Sequence, residues 1–277
     1  MDEKAHLMIE CLNLMGYDAI GIGDDDLTLG KEFLLEISKK ANFPFLSSNI
    51  FDEASGKNLF QLSLIKQVHG LRIGIFSLFS PDLFPNPSDP RKKGLNIRPP
   101  IEVANAMLKE LKPKTDLIIL LSHVGYAKDI ELAQTVQGIN IIVGGHTGIN
   151  LIYPLVMKNT IILQNASRGM FAARLDLLFH NHEPVFYNSA TKMSQENNLK
   201  NLNQRLNAPE TPEAEKAQLQ KAKEETERAL NQIQTKNQFT NHIVALQEQM
   251  KEDLDIKKLV EAYKAKTQTT GNPISPK

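Results

Sequence analysis

Two apolar runs that each end in a histidine constrain this chain more than any other feature. Asp116-Leu117-Ile118-Ile119-Leu120-Leu121 leads into Ser122-His123, and Ile139-Asn140-Ile141-Ile142-Val143 leads into Gly144-Gly145-His146. Short runs rich in Ile, Leu and Val, bounded by polar and Gly residues, mark strands buried on both faces of a sheet. Between them, Ile130, Ala133 and Val136 fall at helical spacing, so residues 129–136 are expected to be the crossover helix of a βαβ unit. Both histidines then stand at the carboxyl ends of neighbouring parallel strands, where open α/β sheets place their ligand sites.

The rest of the chain is long enough to build around this unit. Its 277 residues hold one large α/β domain with an appendage, or two small domains. The 32 basic and 32 acidic residues balance, which removes the bulk-charge argument for a nucleic-acid or membrane-surface partner. One cysteine, Cys11, excludes an internal disulfide and reads as a small core residue on an apolar helical face. No apolar run approaches the roughly 20 residues of a membrane span. Met1-Asp2-Glu3-Lys4 leads into an amphipathic helix rather than a signal sequence, so the chain as written is expected in the cytoplasm.

Along the chain, residues 4–15 carry Leu7, Met8, Cys11, Leu12 and Met15 on one helical stripe closed by Gly16. Residues 18–23 read as a strand, Asp24-Asp25-Asp26 as an acidic turn, 30–40 as a helix and 45–50 as one further strand. Residues 60–68 and 71–78 predict an antiparallel pair turning at Gly70. Residues 80–100 contain six prolines and no periodicity, so they read as a long surface loop, followed by a helix over 101–111. Residues 161–165 and 174–179 predict two more strands. Near Ser189 the composition turns polar, with helices expected over 199–206, 213–234 and 255–266, and a disordered tail over 267–277. The expected division is thus a first domain over 1–190, a helical appendage over 191–266 and the tail.

The stretches GYDAIGIGDDDLTLG, ANFPFLSSNI, HGLRIGIFSL, DLIILLSHVG and GINIIVGGHTG resemble, in this order, the 5′-nucleotidase and UDP-sugar hydrolase branch of the calcineurin-like metallophosphoesterases. The resemblance covers residues 5–190. It implies an α/β (α+β) fold, a β-sandwich flanked by helices. It also implies hydrolysis of phosphate esters, as in nucleotide breakdown, by two divalent metals such as Mn or Zn that clamp the phosphoryl group. His123 and His146 fall on positions resembling two histidine ligands of one metal. Asp24 falls where the family has a ligating Asn, and its carboxylate oxygen is also a metal donor.

The departures from the family pattern are as informative. The family's catalytic histidine corresponds to Asp25, whose carboxylate repels a phosphate, so no catalytic residue is assigned. A second ligating histidine corresponds to Gly148. The N-terminal Asp-x-His and Gly-Asp motifs have no counterpart, and the expectation is a longer chain upstream, periplasmic if that segment bears a signal. The family's nucleoside-binding aromatics also lack a counterpart after Ser189, where Phe239 and Tyr263 are the aromatic residues. Three readings follow: a divergent hydrolase of a phosphate monoester such as a nucleotide, a catalytically degenerate metal- or anion-binding module of the same fold, and a scaffold acting through its C-terminal helices.

Each signal also has a plainer reading. The two histidines can cap loop backbone at strand ends. Asp26 is expected to N-cap the following helix. Gly144 and Gly145 can simply relieve a tight turn. Asn49 reads as a turn residue, Arg168 as surface, and His6, His69, His180, His182 and His242 have no motif support.

Overall fold

The computed structural model describes residues 2–84, 86 and 88–269. In chain order the elements are α1 (Asp2–Leu14), β1 (Ile20–Gly21), α2 (Gly30–Ser38), β2 (Phe45–Leu46), β3 (Ile50–Asp52), β4 (Ser63–Val68), β5 (Leu71–Phe79), β6 (Leu95–Ile97) and α3 (Pro100–Leu111). They continue with β7 (Leu117–His123), α4 (Tyr126–Thr135), β8 (Ile141–Gly144), β9 (Leu155–Met157), β10 (Thr160–Leu163) and β11 (Phe171–Leu178). The last are β12 (Phe186–Asn188), α5 (Ser189–Leu206), α6 (Glu213–Ile233), β13 (Asn237–Ala245) and α7 (Leu254–Thr269). This is the mixed α/β architecture that the resemblance implies, with several sheets and flanking helices.

Two compact units divide the chain. One runs to Met170 and resumes at Ala245; the other is Phe171–Val244. The first is built on a six-stranded sheet of order β4-β5-β7-β8-β10-β9. Its centre is the expected βαβ unit: β7 pairs parallel with β8, Leu120 facing Ile142 and Ser122 facing Gly144. The crossover helix starts three residues earlier than its apolar spacing suggests, because Gly125 (φ +92) turns the chain directly off the end of β7. Ile118 N–H donates to Asn140 Oδ1 at 2.8 Å, a side-chain bond that ties the start of β7 to β8.

Alternation along these strands sends their apolar residues into separate layers. Phe76, Leu78, Ile118, Leu120, Ile142 and Ile162 pack with Val103, Met107 and Leu111 of α3 and Leu132 and Ala133 of α4. A second core gathers Ile9 of α1, Leu34 and Ile37 of α2, Phe45, Ile50 and Phe79. β1 and its parallel partner β2 belong to this layer, and β1 packs against β5 and β7.

Some local expectations are corrected. β4 and β5 do form an antiparallel hairpin, with Val68 opposite Leu71 and with His69 and Gly70 both at positive φ, the two-residue turn that matches strand twist. Residues 45–50 are not one strand. β2 stops because Ser48 and Asn49 turn their side chains onto backbone: Ser48 Oγ donates to Leu62 O at 2.7 Å, and Asn49 Nδ2 donates to Phe79 O and Arg98 O at 2.7 and 2.8 Å. Asn49 is therefore a buried clasp rather than a turn residue. The proline-rich loop is also less irregular than expected, since β6 pairs antiparallel with β3.

The second unit holds a three-stranded sheet of order β11-β13-β12 together with α5 and α6. The region after Ser189 is thus not all helix, and strands on both sides of residue 190 share one sheet. Residues 267–269 complete α7, so the expected disordered tail is helical there; residues 270–277 lie outside the described residues.

Candidate metal centre

The acidic turn and the two histidine-ended strands converge in the first unit. His123 closes β7, His146 lies two residues beyond β8, and Asp24 precedes a single 3₁₀ turn, Asp25–Leu27. Asp24 Oδ1 is 2.8 Å from His123 Nε2 and 3.5 Å from His146 Nδ1. The imidazoles meet edge to face, ring centres 5.2 Å apart, and Phe79 stacks on His123 at 5.8 Å. Among the described residues these three form a group whose donor atoms all lie within 4.8 Å of one another.

Close backbone approaches make that convergence possible. A Cβ on Gly23 would lie 2.9 Å from His123 Cε1, so glycine at this position lets the turn that carries Asp24 pass close to the imidazole. Asp24 N–H also points at His123 Nε2, at 3.4 Å. His146 has φ +70, a left-handed conformation that costs a non-glycine residue on the order of 1 kcal/mol or more. Its loop is clasped from β10's end by Gln164, whose Nε2 donates to Thr147 Oγ1 at 2.7 Å and to Gly145 O at 3.4 Å. A strained backbone held by a buried clasp is the arrangement expected where a ring has to be presented.

The donor set fits a first-row divalent cation. Bond lengths of about 2.0–2.2 Å at angles of about 90–110° separate neighbouring ligand atoms by about 2.8–3.6 Å. The separations of 2.8 and 3.5 Å from Asp24 Oδ1 lie in that window. One carboxylate and two imidazoles also match the ligand preferences of Mn and Zn. Burial works to raise the Asp24 carboxyl, but the hydrogen bond to His123 and the charges of His123 and His146 outweigh it, and the carboxyl is held below its usual range. It is therefore ionised at neutral pH, as a ligand must be.

Other candidates go elsewhere. Asp25 is fully exposed, its Oδ1 3.7 Å from Arg91 Nη1, and it is not in the three-residue donor group. Asp26 does not cap α2, whose N-cap is Leu29; its Oδ2 accepts from Gly23 N–H at 2.7 Å, folding the acidic turn back on itself. Gly148 has φ +65 and faces Ser167, and Arg168 is exposed. His180 and His242 lie in the second unit, beside Gln238 and Asp176.

Two groups beside the centre carry no sequence signal that points them to it. Arg91, from the proline-rich loop, donates through Nη1 to Asp24 Oδ2 at 3.1 Å. Asp129, fully buried in α4, accepts from Ser122 Oγ at 2.5 Å, one residue before His123. A partial signal for Arg91 existed in Asp89-Pro90-Arg91, a proline-started turn whose aspartate caps it, but nothing local points it at Asp24.

No protein-family profile matches the chain. A 5′-nucleotidase from Vibrio cholerae is 30% identical over 203 residues, which cover 62% of this chain and 37% of that protein. The crystal structure of a 5′-nucleotidase precursor from Thermus thermophilus superposes with a TM-score of 0.68 at 20% identity, over 96% of this chain and 46% of that one. The Haemophilus influenzae NAD nucleotidase gives 0.65 at 20% identity, over 97% and 54%. The chain thus spans about half or less of the length of these relatives, and the structural likeness extends beyond Ser189. The chain is thus similar in sequence to 5′-nucleotidases over part of its length, and its fold is that of 5′-nucleotidase and calcineurin-like phosphoesterase structures.

Proposed function

We propose that this chain carries the metal site of a phosphoesterase that hydrolyses a phosphate monoester such as a nucleotide, with Asp24, His123 and His146 as ligands of a divalent cation, Mn or Zn. The observation that carries the reading is the meeting of three donors from three separate segments, all within 4.8 Å of one another, with both imidazoles 2.8 and 3.5 Å from Asp24 Oδ1. The cation supplies Lewis-acid polarisation of a phosphoryl oxygen. The chain's own residues do the rest: the three ligands hold the cation, Phe79 and Gln164 fix the two ligand-bearing turns, and Gly23 lets them close on one another.

One observation favours a second reading. Asp25 is a fully exposed carboxyl group at the position that resembles the family's catalytic histidine, and it supplies neither an imidazole nor a positive charge to a phosphate. In that reading the chain binds metal and phosphate without turnover.

Chelator-stripped protein titrated with Mn²⁺ tests both. Metal uptake is expected for the native chain, with affinity reduced at least about tenfold in Asp24→Ala, His123→Ala and His146→Ala. Release of phosphate from a nucleoside monophosphate by the loaded protein supports the hydrolase; uptake without release supports the binding module. A native chain that takes up neither Mn²⁺ nor Zn²⁺ sinks the metal assignment.

A further inference from the structure

Arg91 is set in place from several sides. Its Nε and Nη2 donate to the two oxygens of Asp89 at 3.1 and 2.9 Å. The guanidinium carbon lies 5.0 Å from the centre of the Phe84 ring, Phe84 stacks on Phe79, and Phe79 stacks on His123. One edge of the fork and one face are thereby fixed to the wall of the centre. The remaining nitrogen, Nη1, lies between Asp24 Oδ2 at 3.1 Å and Asp25 Oδ1 at 3.7 Å. The Arg91 side chain is 26% exposed and Asp25 is 100% exposed. The Arg91–Asp25 contact is long and solvated, and contributes little to stability.

We propose that Arg91 is the phosphate-binding cation of this site, donating from Nη1 to a phosphoryl oxygen of a phosphate monoester or of inorganic phosphate. The inference rests on the metal assignment above. Three carboxylates, Asp24, Asp25 and Asp89, face the guanidinium of Arg91, which disfavours a phosphate dianion until a divalent cation offsets them. The anion then needs a directional donor, and a guanidinium already oriented on Asp89 and Phe84 loses little entropy in providing one. Asp25 cannot take this role, and its carboxylate competes with phosphate for the same nitrogen.

The sign of two affinities tests this. Inorganic phosphate binding to the Mn²⁺-loaded protein is measured by calorimetry, and Mn²⁺ binding by electron paramagnetic resonance, for the native chain, Arg91→Ala, Arg91→Lys and Asp25→Asn. Arg91→Ala is expected to weaken phosphate binding about ten- to a hundredfold while Mn²⁺ affinity holds or rises, because a cation has been removed. Arg91→Lys falls between, and Asp25→Asn binds phosphate more tightly than the native chain. Unchanged phosphate affinity in Arg91→Ala overturns the proposal. So does a parallel fall in both affinities, which marks a structural role. If the native chain takes up no Mn²⁺, the metal assignment falls and this proposal with it; Mn²⁺ uptake with phosphate affinity unchanged in Arg91→Ala overturns the proposal alone.

Discussion

Asp129 is the residue whose environment departs furthest from what its neighbours in sequence imply. It sits in a helix read only as a crossover, yet it is 0% exposed. Its Oδ1 accepts from Ser122, its Oδ2 has no hydrogen-bond partner among the described residues, and a Cβ on Gly144 would come within 2.6 Å of that oxygen. Gly144 thus serves carboxyl packing and not only a turn. Burial pushes the Asp129 carboxyl up to about 7, against the opposing effect of the Ser122 hydrogen bond. In the unfolded chain the same group ionises near 3.8. Between those values the unfolded state gives up its proton and the folded state keeps it, so folding stability falls as pH rises from about 4 to about 7. At about 1.4 kcal/mol per unit, the loss is on the order of 4 kcal/mol. Asp129→Asn mimics the protonated carboxyl. In chelator, it should match the native chain near pH 4 and be the more stable protein at pH 8, by denaturant titration at both pH values. Parallel stability curves for the two proteins would rule out a neutral Asp129.

At the scale of elements, legibility followed the range of the interactions that form each one. The β7–α4–β8 unit was readable because apolar runs, crossover helix and strand-end histidines all lie within 33 consecutive residues, 116–148. The β4–β5 hairpin was readable from its turn. Metal-ligand candidates on these elements were readable for the same reason, and Asp24 through the resemblance. Arg91 was not, because its partner lies 67 residues away and its loop has no periodicity. β6 was hidden in that loop because its pairing partner, β3, is 45 residues earlier. β13 was hidden in a polar stretch where Asn237 and Phe239 face inward between half-exposed neighbours. Phe239 is nonetheless fully buried, and Asn237 Oδ1 accepts from the backbone of His180 and Asn181 at 2.7 and 3.0 Å. Phe239→Ala should therefore cost about 3–5 kcal/mol of stability in the second unit, read by thermal melting, while Mn²⁺ affinity stays unchanged. A loss below about 1 kcal/mol would mean that β13 is not packed as described.

At the scale of the whole molecule, the α5–α6 hairpin is explained by topology rather than by a docking role. β12 and β13 run parallel, with Asn188 opposite Phe239. Parallel neighbours cannot be joined by a tight turn and need a crossover of a dozen or more residues. Two antiparallel helices of 18 and 21 residues are such a crossover, longer than the geometry requires. Their fully buried residues are few, Leu202 in α5 and Leu219 and Ile233 in α6, so most of the hairpin surface is solvated and contributes little to a core. All three candidate metal ligands belong to the other compact unit. Replacing residues 190–234 by a flexible linker of about 12 residues should then remove much of the helical signal in far-ultraviolet circular dichroism and leave Mn²⁺ affinity within about twofold of the native value. Replacement by a two-residue turn should disrupt the β11-β13-β12 sheet, because it cannot return the chain to the start of a parallel strand. If the 12-residue linker abolishes Mn²⁺ uptake, the hairpin supports the metal centre and the separation of roles between the two units is wrong. If light scattering shows an oligomer that the linker variant converts to a monomer, the helices carry an association role beyond the crossover.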